Sequence, residues 1–440
     1  MSGPAAPAGP QPVLATVRVR MYQVGFGDCF LLTFEYAGAA EPARHMLIDF
    51  GSRRLAAGLD LPAIAAEIDA VTGGGPDVVV LSHRHQDHMS GFGGSGTEAV
   101  VSRWQPRLVV RSWTEDPDAP ADAAGPGGTQ LRAGLDQGLA FAQALSTEIA
   151  RSARGVPGDL RELALAQLAN QAALDQLNAW SQGGKGVYVN YGTPLALDAV
   201  IPGVQVQVIG PPTVAQHPAV ARERSTSPEY WQLYQSLAAG LAAGLAAGAA
   251  GSAADGQAGA RSAAEERLVG PARWVVNHLQ GPQLRSLLRI VTALDHAMNN
   301  TSVILLIQAG DRRLLFCGDA QIENWEYALS FAEDREQVLG LLRGVDLYKV
   351  GHHGSRNATP RTLFSLWTEA ATRDRKMTAL MSTKSGVFGR PGSGTEVPRQ
   401  TLLTALQQRM NLSTTMDFPG GTSHLEVSAP AVGDAQFTKV

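Results

Sequence analysis

The chain has 440 residues, 44% of them hydrophobic, and a formal charge of −4. That is enough apolar material for a large core, and it excludes the strongly basic field behind non-specific nucleic-acid binding, though not a local basic groove. The only two cysteines, Cys29 and Cys317, stand in no CxxC spacing, which excludes a disulfide framework and fits a reducing, cytoplasmic setting.

Residues 1–12 are Pro/Ala/Gly-rich and are expected to fray, so the folded part is read as residues 13–440. Strand patterns follow: "ATVRVRMYQV" alternates, "CFLLTFEY" comes after the Gly-bearing turn "GFGD", and "HMLIDFG" is a third apolar run. "LPAIAAEIDAV" reads as a short helix, and "DVVVLSH" as a buried strand that stops at His83. After the strand "PRLVVRSW", residues 114–185 read as a helical insertion, with Ala, Leu, Gln and Glu at helical spacing over about 128–182. "GVYVNYG", "PLAL" and "VQVQVIGPP" return to strand character.

Residues 215–290 form a second, Ala/Gly-rich insertion with three tandem "LAAG" units. Glycine at every fourth position costs about 1 kcal/mol relative to alanine, so the segment reads as a flexible or weakly helical surface insert rather than a membrane or partner helix. No stretch offers the roughly 20 apolar residues of a membrane span, and the N-terminal stretch lacks a basic segment followed by an apolar run. No membrane partner is expected. From Thr301 strands and helices alternate: "SVILLIQA", "LLFCGDA", a helix around "IENWEYALSFA", "VDLYKV", the loop "GHHGSRNATP", a helix at "RTLFSLWTEA", "MTALMST", a Gly-rich loop, a helix at "RQTLLTALQQ" and a last strand "SHLEVSA". The order suggests an α/β architecture of two sheets with helices on their outer faces.

Three of the ten histidines fall in "HRHQDH", at the end of a strand, where rigid scaffolds present chemistry. His83, His85, Asp87 and His88 are imidazoles and a carboxylate spaced to converge on one or two cations. Such a cluster is costly to bury unless it coordinates something. "LLFCGDA" ends a buried strand on Asp319, which can set one carboxylate between two cations, and "LYKVGHHGS" ends another on His352 and His353.

With "MYQVGFGDCFLL", "MLIDFGS", "LSHRHQDHMSG", "NNTSVILL", "LLFCGDA", "YKVGHHGS" and "TTMDFPGGTSHLEV" in this order, the chain resembles the metallo-β-lactamase fold. Within that superfamily it is similar to the hydrolase domain of ComEC-type DNA-uptake proteins and their soluble relatives. The likeness covers roughly residues 15–110, 195–212 and 293–430 and leaves both insertions outside it. It implies a four-layer αββα sandwich carrying two helical insertions, and a mono- or dinuclear metal site. By that resemblance His83 and His85 hold a first metal, Asp87 and His88 a second, and Asp319 bridges them. His352 completes the second site, His353 faces the substrate, and Asp49 supports the metal loop through hydrogen bonds. Where relatives supply a further histidine for the first metal, this chain has Gly210, and His296 in "LDHAMNNTSV" is the expected substitute.

The resemblance fixes the fold more sharply than the substrate, because the superfamily hosts many reactions. Two divalent ions, Zn²⁺ first with Mn²⁺ or Fe²⁺ also accommodated, would activate water and polarise the scissile group. Arg356, Lys384 and Arg390, on or beside Gly-bearing loops, lean toward a phosphate-bearing substrate. A phosphodiesterase acting on a nucleotide or nucleic acid is the first expectation, with Asp87 and His353 as catalytic groups. A small-molecule ester, thioester or lactone hydrolase with a pocket of Phe92, Phe388 and Trp113 is the second, and a non-catalytic metal-binding partner module the third. Nothing in the sequence gives the oligomeric state.

Overall fold

The run "CFLLTFEY" is apolar without alternation because both of its faces are covered. Phe30, Leu32 and Phe34 point into one core, while Cys29 and Leu31 belong to another. In the computed structural model, residues 12–38, 41–94, 96–116, 171–213, 215–217, 298–355, 359–368, 376–389 and 396–440 are described. Most of both predicted insertions, residues 1–11, and the candidates His296, Arg356 and Arg390 lie outside the described residues.

Two mixed sheets make up the body. The first orders its strands β15 (Thr438–Lys439), β14 (His424–Pro430), β1 (Leu14–Tyr22), β2 (Cys29–Tyr36), β3 (Arg44–Phe50), β4 (Val78–Val80), β5 (Leu108–Ser112) and β6 (Gly186–Val189). The second runs β13 (Asn411–Thr414), β12 (Thr378–Met381), β11 (Leu347–Lys349), β10 (Arg312–Phe316), β9 (Ile304–Ala309), β8 (Val204–Gly210) and β7 (Pro194–Leu195). Each sheet is antiparallel on one side of a switch strand and parallel on the other. In the first, β1, β2 and β3 are antiparallel neighbours, and from β3 through β6 the pairing is parallel. In the second, β7 to β10 are antiparallel and β10 through β13 parallel. Open sheets bind ligands beyond the carboxyl ends of strands at such a switch.

The central core interleaves both sheets: Val19, Met21, Phe30 and Ile48 from the first meet Leu305, Ile307, Phe316 and Leu347 from the second. Phe30 and Phe316 touch edge to face across this layer, with ring centroids 5.6 Å apart. Each fully buried side chain of this size contributes roughly 1.5–3 kcal/mol by leaving water. Two further cores join each sheet to helices on its other face, so the layers run helix, sheet, sheet, helix.

The helix Leu61–Thr72 shows how local sequence sets this up. Asp60 caps it by accepting from Ala63 N–H at 2.7 Å, and Pro62 occupies the first turn. Leu61, Ile64, Ala65 and Ile68 form its buried stripe, and Gly73 ends it in a left-handed conformation, φ 69°. The short strands at Asn411–Thr414 and Thr438–Lys439 were not visible in the sequence pattern. Both are brief and polar, and only pairing with a formed neighbour makes them strands. Among the described residues no helix is long and apolar enough to cross a membrane.

Candidate metal centre

Each switch strand has an aspartate at or just past its end, and each following parallel strand has histidines just past its end. Asp49 is the penultimate residue of β3 and His83 follows β4; Asp319 follows β10, and His352 with His353 follows β11. The two halves thus bring their polar ends to one place. Three overlapping groups have ligand atoms within 4.8 Å of one another: His83, His85 and Asp319; Asp87, His88 and His353; and Asp28, His88 and Asp319. All of these residues are buried.

The loop that carries "HRHQDH" is seated by close backbone approach. A Cβ on Gly51 would stand 2.5 Å from Gln86 O and His88 N, so only glycine lets the loop lie against β3. Asp49 then organises it. Its carboxylate accepts from Ser82 N–H at 2.7 Å, from the Ser82 hydroxyl at 2.6 Å and from His88 Nδ1 at 2.8 Å. With its proton given to Asp49, the Ser82 hydroxyl accepts from His83 Nδ1 at 3.0 Å.

These bonds settle which imidazole nitrogens are left for a cation. His88 donates from Nδ1, so Nε2, 3.2 Å from Asp319 Oδ2, is the nitrogen a cation could take in place of a proton. His353 donates from Nδ1 to the Ser382 carbonyl at 3.0 Å, leaving Nε2 3.3 Å from Asp87 Oδ2 and 3.7 Å from Asp319 Oδ2. His83 Nε2 lies 2.9 Å from His85 Nδ1, near the roughly 3.3 Å separating two nitrogens around one tetrahedral Zn²⁺. His88 Nε2, His353 Nε2 and Asp319 Oδ1 are buried without a hydrogen-bond partner. Buried polar atoms left bare are costly unless a ligand satisfies them, so this donor set fits divalent cations.

The electrostatics agree. Burial would lower the His88 and His353 pKa values, but the surrounding carboxylates, Asp319 foremost, hold both above the ordinary histidine range. Burial, with His88 and His85 adding to it, pushes His83 well below that range. Burial would raise the Asp319 carboxyl, yet His88, His352 and His353 keep it well below the usual carboxylate range. The pocket of carboxylates calls for positive charge.

Backbone strain concentrates here too. Asp49, His352 and His353 have φ of 56°, 41° and 51°, and they are the non-glycine residues in the left-handed region among those described. Such conformations cost of order 1–3 kcal/mol each and tend to mark functional sites.

The sequence expectations land unevenly. His83, His85, Asp87, His88 and Asp319 lie together in the structure, and Asp49 bonds to Ser82 and His88 beside them. At the GHHG turn the two histidines part: His353 lies with Asp87 and His88, whereas His352, the one expected to complete the second site, has its side chain 26% exposed with Nε2 3.7 Å from Asp319 Oδ2. Burial draws the His352 pKa down to about 4. Lys384 donates to the Leu55 carbonyl. Phe92 lies in the core under the helix Leu61–Thr72, against Phe50 and Trp180, and Trp113 donates to the Pro212 carbonyl at 3.3 Å. Phe388 does reach the site: its ring is 4.9 Å from Phe26, which packs 4.3 Å from the His353 ring.

Two residues escaped the sequence reading. Asp28, from "GFGD", is fully buried, 3.6 Å from both His88 Nδ1 and His353 Nδ1, and in ion-pair contact with Lys349. The Lys349 ammonium also donates to the Gly318 carbonyl at 3.1 Å and lies 3.9 Å from Asp319 Oδ1. Burial lowers the Lys349 pKa, but Asp28 and Asp319 outweigh it and hold it above the ordinary lysine range. Burial moves the Asp28 carboxyl upward against the pull of Lys349, and their direct contact keeps the pair ionised. A lysine inside the apolar strand "VDLYKV" was the available signal, since lysine is almost never buried unpaired.

The split between the two histidines has a direct test. His353→Ala is expected to remove one bound ion per chain and to lower any metal-dependent activity by at least about 100-fold, more than loss of a supporting group brings. His352→Ala should keep the ions. Equal metal loss in both variants, measured by elemental analysis, would contradict the geometry. In comparisons with known proteins, no family model matches this chain, and no curated protein does.

Proposed function

We propose that the chain is a metal-dependent hydrolase of the metallo-β-lactamase type, acting as a phosphodiesterase on a nucleotide or nucleic acid. The observation that carries the first part is the convergence of His83, His85, Asp87, His88, Asp319 and His353 where the two sheets switch, with His88 Nε2, His353 Nε2 and Asp319 Oδ1 buried without a hydrogen-bond partner. The helix, sheet, sheet, helix layering and the order of the motifs support the fold assignment within one domain over residues 13–440, with the insertions at 114–185 and 215–290 as elaborations of it.

When bound, divalent cations would supply Lewis acidity and a water acidic enough to attack near neutral pH. His83, His85 and Asp319 would hold one and Asp87, His88 and His353 the other, with Asp319 between them. The chain's own residues orient this set: Asp49 fixes His88, Ser82 fixes His83, and the Ser382 carbonyl fixes His353. Aromatic cover on His353 from Phe26 keeps bulk water off that side. His352 is held neutral by burial and stands at the mouth, where its free imidazole nitrogen would accept a proton from the attacking water.

The substrate part rests on the rim. The exposed Arg53 guanidinium lies 4.9 Å over the Phe388 ring, which packs at a tilt against Phe26, itself against His353. A cation beside aromatic faces suits a phosphate joined to a base. The same wall suits an apolar acyl group, which keeps a small-molecule ester, thioester or lactone as the second reading. Metal analysis with hydrolysis of bis-p-nitrophenyl phosphate and a p-nitrophenyl ester, with and without added Zn²⁺ or Mn²⁺, separates them. Metal-dependent diester cleavage is the expected result. Cleavage of the ester alone would select the second reading, and absence of metal would leave a non-catalytic module.

A further inference from the structure

The resemblance leaves the first metal set one donor short, because residue 210 is glycine. The structure shows why no side chain fits there: a Cβ on Gly210 would stand 2.5 Å from Asn324 Oδ1 and 2.7 Å from the Ile304 side chain. Asn324 fills that space instead. It is fully buried, and its amide nitrogen donates to the Ser302 carbonyl at 2.8 Å, which assigns the oxygen to the other side. That oxygen has no hydrogen-bond partner.

Two more carboxamides share this condition. Asn299 and Asn300 are each 1% exposed, and the Oδ1 atom of each is buried and unpartnered. They lie on the turn Met298–Thr301, which leads directly into the site: Ser302 Oγ accepts from Asp319 N–H at 3.3 Å, and Val303 N–H donates to the carbonyl of Ser82, the residue before His83. The chain directly after the turn is therefore held against Asp319 of the first metal set and against Ser82, which bonds to His83. Three buried amide oxygens without donors, in one small region, are an expensive arrangement for a purely structural cluster. An amide oxygen is also a hard donor of the kind divalent cations accept.

We infer that a carboxamide oxygen of the Asn299–Asn300 turn completes the His83, His85 and Asp319 set, with Asn324 closing the space behind it. The inference rests on the metal-dependent reading of the site and adds a ligand type to it. The donor set of the first cation is then two imidazoles, a carboxylate and an amide oxygen, and the second keeps two imidazoles and two carboxylates. The two positions are unequal, and the first is the weaker.

The experiment is metal titration of the full chain by calorimetry, with elemental analysis, on wild type and on Asn299→Leu and Asn300→Leu. At least one leucine variant is expected to lose one ion per chain or to bind it about 100-fold more weakly, with the other ion unaffected. Matched Asn299→Asp and Asn300→Asp variants keep the shape and test the same point if a leucine variant does not fold. At the ligating position the aspartate should bind the ion at least as tightly as wild type and show a larger rise in melting temperature on adding Zn²⁺. Wild-type stoichiometry and affinity in both leucine variants would overturn the inference, as would an unchanged Zn²⁺-induced melting shift in both aspartate variants. Loss of the ion in His296→Ala with both asparagine variants intact would give the donor role to His296. If wild type binds no ion at all, the metal-dependent reading itself falls, a result distinct from any of these.

Discussion

Asp319→Ala is expected to cost both bound ions and to lower metal-dependent hydrolysis by well over the roughly 100-fold that loss of a supporting residue brings. Asp319 belongs to two of the three candidate ligand groups, and its Oδ2 lies within 3.9 Å of imidazole nitrogens of His83, His88, His352 and His353. No neighbouring carboxylate has the same reach: Asp87 is near His353, and Asp28 is occupied by Lys349. The substitution removes a short side chain at the mouth of a strand, so the two sheets should survive it. Far-UV circular dichroism with elemental analysis checks both halves of the expectation. A folded variant retaining both ions would sink the bridging role.

The second large effect is on stability. Lys349→Met should lower the free energy of unfolding by about 3–5 kcal/mol, the range found when one partner of a buried ion pair is removed. Methionine fills the volume of the lysine stem, so the loss is mainly the charge that Asp28 faces. Asp28 would then lie fully buried with its ammonium gone and both carboxylate oxygens without hydrogen bonds. The double variant Lys349→Met with Asp28→Asn should recover much of the loss, because no bare charge remains. Denaturant unfolding of the metal-free protein measures this without interference from bound ions. A single variant as stable as wild type would mean that the pair is not ionised in the fold.

The sequence was most readable where one residue type has few other uses. Three histidines and an aspartate in six residues announce a candidate cation site before any strand is placed, and the apolar runs leading to Asp49, Asp319 and the GHHG turn point to the same end of the sheets. The different placing of His352 and His353 was not readable, because two consecutive left-handed backbone conformations send adjacent imidazoles in different directions. Asp28 and Lys349 were hidden for another reason. Asp28 looks like an ordinary polar residue before a strand, and although a lysine inside an apolar run signals a partner, that partner is 321 positions away in the chain. The carboxamides of Asn299, Asn300 and Asn324 were equally opaque, since an asparagine beside a turn usually signals only the turn.

The first sheet supplies His83, His85, Asp87 and His88 of the candidate ligands and the second supplies Asp319 and His353, and this makes the centre a gauge of how the two sheets sit on each other. Tetrahedral coordination tolerates errors of only a few tenths of an ångström, while the layer that sets the spacing is ordinary hydrocarbon packing such as Phe30 against Phe316. Drift in that remote layer, through substitution or temperature, would register first as weakened cation affinity, long before either sheet came apart.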